Sequence, residues 1–152
     1  MKYIKEDTTI TFSEIPDEIS LCINISGCPC HCPDCHSKYL WEDVGEELTY
    51  DVVERLIRLN PGATCVCLMG GDADPKYINT LAQSIKNDYD IKVAWYSGRN
   101  RLSDDIDIKN FNYIKLGPYN KTCGPLNERT TNQIFFEVFN DKLINATYKF
   151  WI

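Results

Sequence analysis

Four short runs rich in β-forming residues, each stopped by small or polar residues, set the architecture open to this chain of 152 residues. They span residues 19–25, 64–69, 91–96 and 113–116. Helix-period segments separate the first three. Thr49 stands where an N-cap belongs, and Val52, Val53, Leu56 and Ile57 share one helical face before Asn60-Pro61-Gly62. Pro75 suits the first turn of a second helix, whose Ile78, Leu81, Ala82 and Ile85 form another apolar stripe. Strands alternating with helices predict right-handed βαβ units and a mostly parallel sheet. The last third is less regular: residues 133–139 and 146–152 read as strands or extended segments joined through Asn140-Asp141. With no repeat, linker or low-complexity stretch, residues 1–152 read as a single α/β domain, large enough for a real core.

In sheets of this kind ligands bind beyond the carboxyl ends of the strands. Three unusual loops follow three successive strands here, so they are expected to open on one edge and build one site. The first holds Gly27-Cys28-Pro29-Cys30-His31-Cys32-Pro33-Asp34-Cys35-His36, half of the chain's eight cysteines. The second is Gly70-Gly71-Asp72, where a glycine pair lets backbone approach a ligand closely. The third, Ser97-Gly98, is common in sequence and notable only for its position.

Within the cysteine run, Cys28-x3-Cys32-x2-Cys35 places three soft thiolate donors at short, unequal spacing. A structural metal site normally closes its shell with four protein ligands, whereas three leave a position open. Three such cysteines can hold three irons of a [4Fe-4S] cube and leave the fourth free. A zinc site is the competing reading. Cys32-x2-Cys35 is a zinc-type pair with Cys30, His31 and His36 at hand, and Cys65-x-Cys67 could supply a second. Cys65 and Cys67 sit in an apolar strand, however, on one face with Met69, and read as small core residues. Cys22 reads as core and Cys123 as a surface thiol; the spacing of Cys30 does not fit the three-ligand motif.

The formal charge of -6 and scattered basic residues exclude a typical nucleic-acid partner. Glu42-Asp43 and Glu46-Glu47 read as solvated surface. Residues 1–7 contain no apolar leader region, and no apolar run approaches membrane-spanning length, so a cytoplasmic protein without a membrane partner is expected. In that compartment abundant cysteine points to metal binding or catalysis rather than disulfides.

Over nearly its whole length the chain resembles the radical S-adenosylmethionine (SAM) activating proteins of anaerobic, class III, ribonucleotide reductase. The resemblance rests on Ser26-Gly27-Cys28 leading into the three-cysteine motif, Trp41 six residues after Cys35, Gly70-Gly71-Asp72, and Tyr96-Ser97-Gly98. Tyr113-Ile114-Lys115-x-Gly117-Pro118-Tyr119, Gly124-Pro125-Leu126 and Thr131-Asn132-Gln133 extend it. It implies an incomplete radical SAM (β/α) barrel in which Cys28, Cys32 and Cys35 ligate a [4Fe-4S] cluster whose fourth iron is chelated by SAM. Gly70, Gly71 and Asp72 would lie by the methionyl end; Asp34, Cys35 and His36 would flank the cofactor, and Ser97 would touch it. The family usually has an aromatic residue at His36 and a small one at Asp34. The implied activity is reductive cleavage of SAM, with an electron from an external donor such as flavodoxin or ferredoxin, to form a glycyl radical on the reductase large subunit. No side-chain acid or base is required. The remaining alternatives are an activase of another glycyl-radical enzyme, a small-molecule radical SAM enzyme, or a non-catalytic zinc or iron-sulfur module.

Overall fold

A computed structural model describes residues 1–151. Its main sheet has seven strands in the order β2-β3-β5-β6-β7-β8-β9. These are β2 (Thr9–Thr11), β3 (Ser20–Asn24), β5 (Cys65–Met69), β6 (Lys92–Tyr96), β7 (Tyr113–Leu116), β8 (Ile134–Phe139) and β9 (Lys142–Asn145). A separate two-stranded pair joins β1 (Lys2–Tyr3) to β4 (Glu46–Glu47).

The four central strands β3, β5, β6 and β7 run parallel and lie side by side in chain order. Both flanks are antiparallel, through β2 on one side and β8 and β9 on the other. The expected α/β class and parallel pairing are met in the four central strands, and the antiparallel flanks make the sheet as a whole mixed, with no closed barrel. The β8–β9 pair has a local reason, since a two-residue connection permits only antiparallel pairing, whereas β7 and β8 are joined by the longer segment 117–133. The sheet is open, with β2 and β9 as its edges.

Helix α1 (Tyr50–Leu59) connects β3 to β5, and α2 (Pro75–Asp88) connects β5 to β6. Thr49 Oγ1 accepts from the Val52 N–H and Asp74 Oδ1 from the Tyr77 N–H, each satisfying a free first-turn donor. Both helices cover the same face. Val53, Ile57, Ile78, Leu81, Ala82 and Ile85 pack with Leu21, Ile23, Val66, Leu68, Val93 and Trp95 from the strands. Strand alternation sends Cys22, Cys65, Cys67, Ala94, Tyr96 and Tyr113 to the other face, where Ile15, Leu126 and Phe150 partly cover them.

Residues 146–151 do not form the strand or extended segment expected. β9 ends at Asn145 and a 3-10 turn spans Thr147–Phe150; Ile152 lies outside the described residues. Asn140 and Asp141 both adopt positive φ, 50° and 59°, and pair Phe139 directly with Lys142. A two-residue turn of this kind starts the return strand at once. Among the described residues no helix is long and apolar enough to cross a membrane.

Candidate metal centre

The cysteine loop leaves the C-terminal end of β3 and is closed at its base by two backbone bonds. The Gly27 N–H donates to Glu42 O (2.9 Å) and the Cys28 N–H to Leu40 O (2.8 Å). Cys28, Cys30, Cys32 and Cys35 are all unpaired thiols of intermediate exposure. The Cys35 N–H donates to Cys32 O (3.0 Å), and the Ser37 N–H donates to Cys35 Sγ (3.3 Å).

Asp72 ties the three strand-end loops together. Although only 8% exposed, it accepts from Ser97 Oγ at 2.5 Å on one carboxylate oxygen. On the other it accepts from the Gly98 N–H at 2.9 Å and from Cys30 Sγ at 3.5 Å. The expected convergence of the cysteine, Gly70-Gly71-Asp72 and Ser97-Gly98 loops is thus observed. Gly98 makes it possible, because a Cβ there would stand 2.9 Å from Cys30 Sγ.

Elsewhere the site residues are engaged differently from the sequence expectation. Gly70 donates its N–H to Tyr96 O (3.0 Å), and its carbonyl accepts from Trp95 Nε1 (2.7 Å). Gly71 sits at φ 86°, and a Cβ on it would fall 2.5 Å from Ile78 of α2. Both glycines sit at positive φ, 109° and 86°, so the backbone turn itself calls for glycine at the two positions, whatever they also do for a ligand. Ser97, 1% exposed, is turned into Asp72 rather than outward.

Asp34, Cys35 and His36 lie together along a shallow cleft of about 360 Å³ with Lys38, Tyr119 and Lys121. The His36 ring meets Tyr119 edge-on, centroids 4.9 Å apart. His31, at φ 46°, stacks on Trp41 with centroids 4.4 Å apart. In the sequence His31 enters only as a neighbour of the zinc-type pair, and Trp41 and Tyr119 only through the resemblance; their ring contacts with one another's loops were not expected. The Gly117-Pro118-Tyr119 segment after a fourth strand was the available signal, since its position at the same sheet edge follows from the topology.

Electrostatics separate two neighbouring thiols. Hydrogen bonding with Cys30, helped by backbone N–H groups of Cys30 and His31, holds the Cys28 thiol down at about 6 against burial and the Asp72 charge. The same hydrogen bond pushes Cys30 up, reinforced by burial and Asp72. Cys28 is accordingly ready to be a thiolate, the form that binds metal, whereas Cys30 is held as a thiol.

Among the described residues no three His, Cys, Asp or Glu side chains gather closely enough to hold one metal ion. A tetrahedral zinc–sulfur shell with bonds near 2.3 Å would bring thiolates to within roughly 4 Å of one another. A [4Fe-4S] cube instead takes each cysteine on a different iron. The loop suits that group in its chemistry: soft donors on a half-exposed turn, a backbone N–H already on Cys35 sulfur, and a buried Trp41 Nε1 with no acceptor. Inorganic sulfide and thiolate sulfur accept such donors.

The sequence pattern of the 4Fe-4S single cluster domain family matches residues 19–110, more than half of the chain. That span runs from β3 to the segment before β7 and contains all three converging loops. No curated protein and no solved structure matches.

Proposed function

This chain belongs to the 4Fe-4S single cluster domain family, and from that premise we propose that it is a radical SAM activase that forms the glycyl radical of anaerobic ribonucleotide reductase. Cys28, Cys32 and Cys35 are the proposed ligands of three irons, with SAM at the fourth. One observation carries the reading: Asp72 binds the loops of three successive strands into one unit directly beside the three-thiol loop. A cluster with one open iron needs such a neighbouring surface for the ligand that completes it.

Cys28, Cys32 and Cys35 would hold the cluster, which when bound would supply the one-electron reduction of SAM that the proposed activity requires. The chain's own residues hold and shield. The bonds from Gly27 and Cys28 fix the loop's base, while the Ser37 N–H stabilises negative charge on Cys35 sulfur. Asp72 positions Gly98 and Cys30 without itself facing open solvent. Asp34 and His36, which line the outer cleft with Tyr119, are the proposed flanking residues of the cofactor. The open sheet suits a macromolecular substrate, whose glycine segment must reach the loop from the side.

The test is anaerobic reconstitution followed by iron and sulfide analysis, then electron paramagnetic resonance after mixing with reductant, SAM and the reductase. About four irons and four sulfides per chain and a glycyl doublet are expected, the first following from the cube's composition. Cys28→Ala, Cys32→Ala and Cys35→Ala each abolish the doublet, and Cys30→Ala keeps it. One zinc and no sulfide would overturn the reading in favour of a non-catalytic module. An intact cluster that cleaves SAM without a doublet would redirect it to another radical SAM substrate.

A further inference from the structure

Among the described residues three buried side-chain polar atoms have no hydrogen-bond partner: Ser20 Oγ, Asn132 Oδ1 and Trp41 Nε1. Asn132 is half satisfied, since its Nδ2 donates to Pro118 O (3.0 Å). Ser20 opens β3, at the end of that strand away from the cysteine loop. Trp41 differs from both, because the indole N–H is its only polar side-chain group and can donate but not accept. The other two indoles supply the contrast. Trp95 Nε1 donates to Gly70 O (2.7 Å) and Trp151 Nε1 to Leu126 O (3.1 Å). The fold thus satisfies two tryptophans from its own backbone and leaves the third donor buried and unpaired.

That unpaired donor sits against the cysteine loop. Trp41 ends a 3-10 turn, Lys38–Trp41, six residues beyond Cys35. The carbonyls on either side of it, Leu40 O and Glu42 O, accept from the Cys28 and Gly27 N–H groups, which pins residue 41 to the start of the cysteine run. Its indole stacks on the ring of His31, between Cys30 and Cys32 in the chain, with 4.4 Å between centroids and 7° between planes. The Lys38 ammonium stands 5.7 Å from the indole centre. These contacts hold the ring at the loop, yet none of them takes the N–H. A buried donor left without an acceptor costs free energy, which a bound acceptor relieves. The loop already turns one amide toward sulfur, the Ser37 N–H on Cys35 Sγ (3.3 Å).

We propose that Trp41 Nε1–H donates a hydrogen bond to a sulfur of the 4Fe-4S cluster and thereby holds the cluster's reduction potential up. This role requires the proposed cluster on Cys28, Cys32 and Cys35 and is independent of SAM cleavage. Sulfide and thiolate sulfur gain negative charge when the cluster takes an electron. A donor aimed at them favours the reduced form, and hydrogen bonds to the sulfurs are among the factors that set such potentials. Trp41 is a positioning residue here and not a ligand. A trapped water would also satisfy the indole, but without coupling it to the cluster.

The test is a redox titration of the full chain, reconstituted anaerobically, reduced with dithionite and followed by electron paramagnetic resonance, with Trp41→Phe beside it. Phenylalanine keeps a ring for the His31 stack and lacks the N–H, so a packing role alone leaves the midpoint unchanged. Equal iron and sulfide content is expected in the two proteins, with the midpoint of the variant shifted to more negative potential. Electron–nuclear double resonance of the reduced wild-type cluster shows a coupled proton that exchanges in heavy water and is missing in Trp41→Phe. If the variant does not fold or load, heavy-nitrogen labelling of the indoles in the wild-type chain decides. A nitrogen coupling to the reduced cluster is then expected from Trp41, because carbonyls hold the N–H groups of Trp95 and Trp151. An unchanged midpoint in a fully loaded variant, or a wild-type cluster without that nitrogen coupling, overturns the proposal. A chain that takes up no iron and sulfide overturns it together with the cluster. A shifted midpoint without SAM cleavage supports it and sinks only the activase reading.

Discussion

On the helix-covered face of the sheet, Val66, Leu68, Val93 and Trp95 are each at most 1% exposed and form a continuous apolar core with α1 and α2. The same strands present Cys65, Cys67, Ala94 and Tyr96 to the opposite face, where no helix lies. One face gains stability from volume. The other keeps its side chains small toward the middle and polar toward both ends, leaving room above the floor. Its two ends also differ. At the N-terminal end of the strands, buried Glu18 accepts from Thr64 Oγ1 (2.6 Å), Tyr113 OH (2.6 Å) and the Lys92 ammonium. At the C-terminal end Lys115 has no such counterpart. The two buried charges are thus satisfied unequally, Glu18 by three side-chain donors and Lys115 by the Gly117 carbonyl.

The contrast is broken most directly by truncating the covered face. Trp95→Ala removes the largest fully buried side chain and its bond to Gly70 O. A loss of about 3–5 kcal/mol is expected in denaturant unfolding. Cys67→Ala, on the open face, is expected to cost about 1 kcal/mol, near the value of a single buried methylene. Equal costs would erase the distinction between the faces.

Asp72→Ala comes next. It strands the Ser97 hydroxyl and the Gly98 N–H, a loss of about 1–3 kcal/mol. Amide resonances of both residues 97–99 and the cysteine loop shift together; shifts confined to one loop would refute the coupling.

The paired end of the open face sharpens the comparison through pH. Burial works against ionisation of Glu18, but hydrogen bonds from Lys92, Thr64 and Tyr113 outweigh it and lower the carboxyl below its ordinary value. A carboxyl lowered on folding contributes stability above its unfolded pKa, lost as pH falls through the folded one. Melting temperature is thus expected to drop on the acid side of about pH 4.5, the ordinary value of this carboxyl. Glu18→Gln flattens that limb, and an unchanged limb would show that Glu18 does not set it.

The smallest expected effect is Thr49→Ala, which removes the cap of α1. About 1 kcal/mol is lost in thermal unfolding, with the cluster loop undisturbed.

Much of the parallel centre was legible because its signals are local. Residues 64–69 are apolar and bounded by turn residues, while Ile78, Leu81, Ala82 and Ile85 repeat with helical period. The meeting of three loops then followed from topology. Less legible was the C-terminal hairpin, although Asn140-Asp141 carried a two-residue turn signal that would have started β9 at Lys142. Lys115 could not be singled out as buried, since a lysine within a strand ordinarily marks solvent, and its neighbours around the open-face cavity, Gln133 and Phe150 among them, are distant in sequence. Ser97 was found by position, yet its engagement with Asp72 is a matter of side-chain direction that no local pattern encodes.

The seat of Cys30 bears on how the protein matures. Its sulfur lies against Gly98 and within hydrogen-bond reach of Asp72. Under the proposed ligand set, a scaffold delivering iron and sulfide meets three available thiols and one already occupied. On that ligand set, the fold itself would set Cys30 apart from the other three thiols. Gly98→Ala would unseat Cys30, and the yield of correctly loaded protein would fall while the amount of folded chain stayed the same.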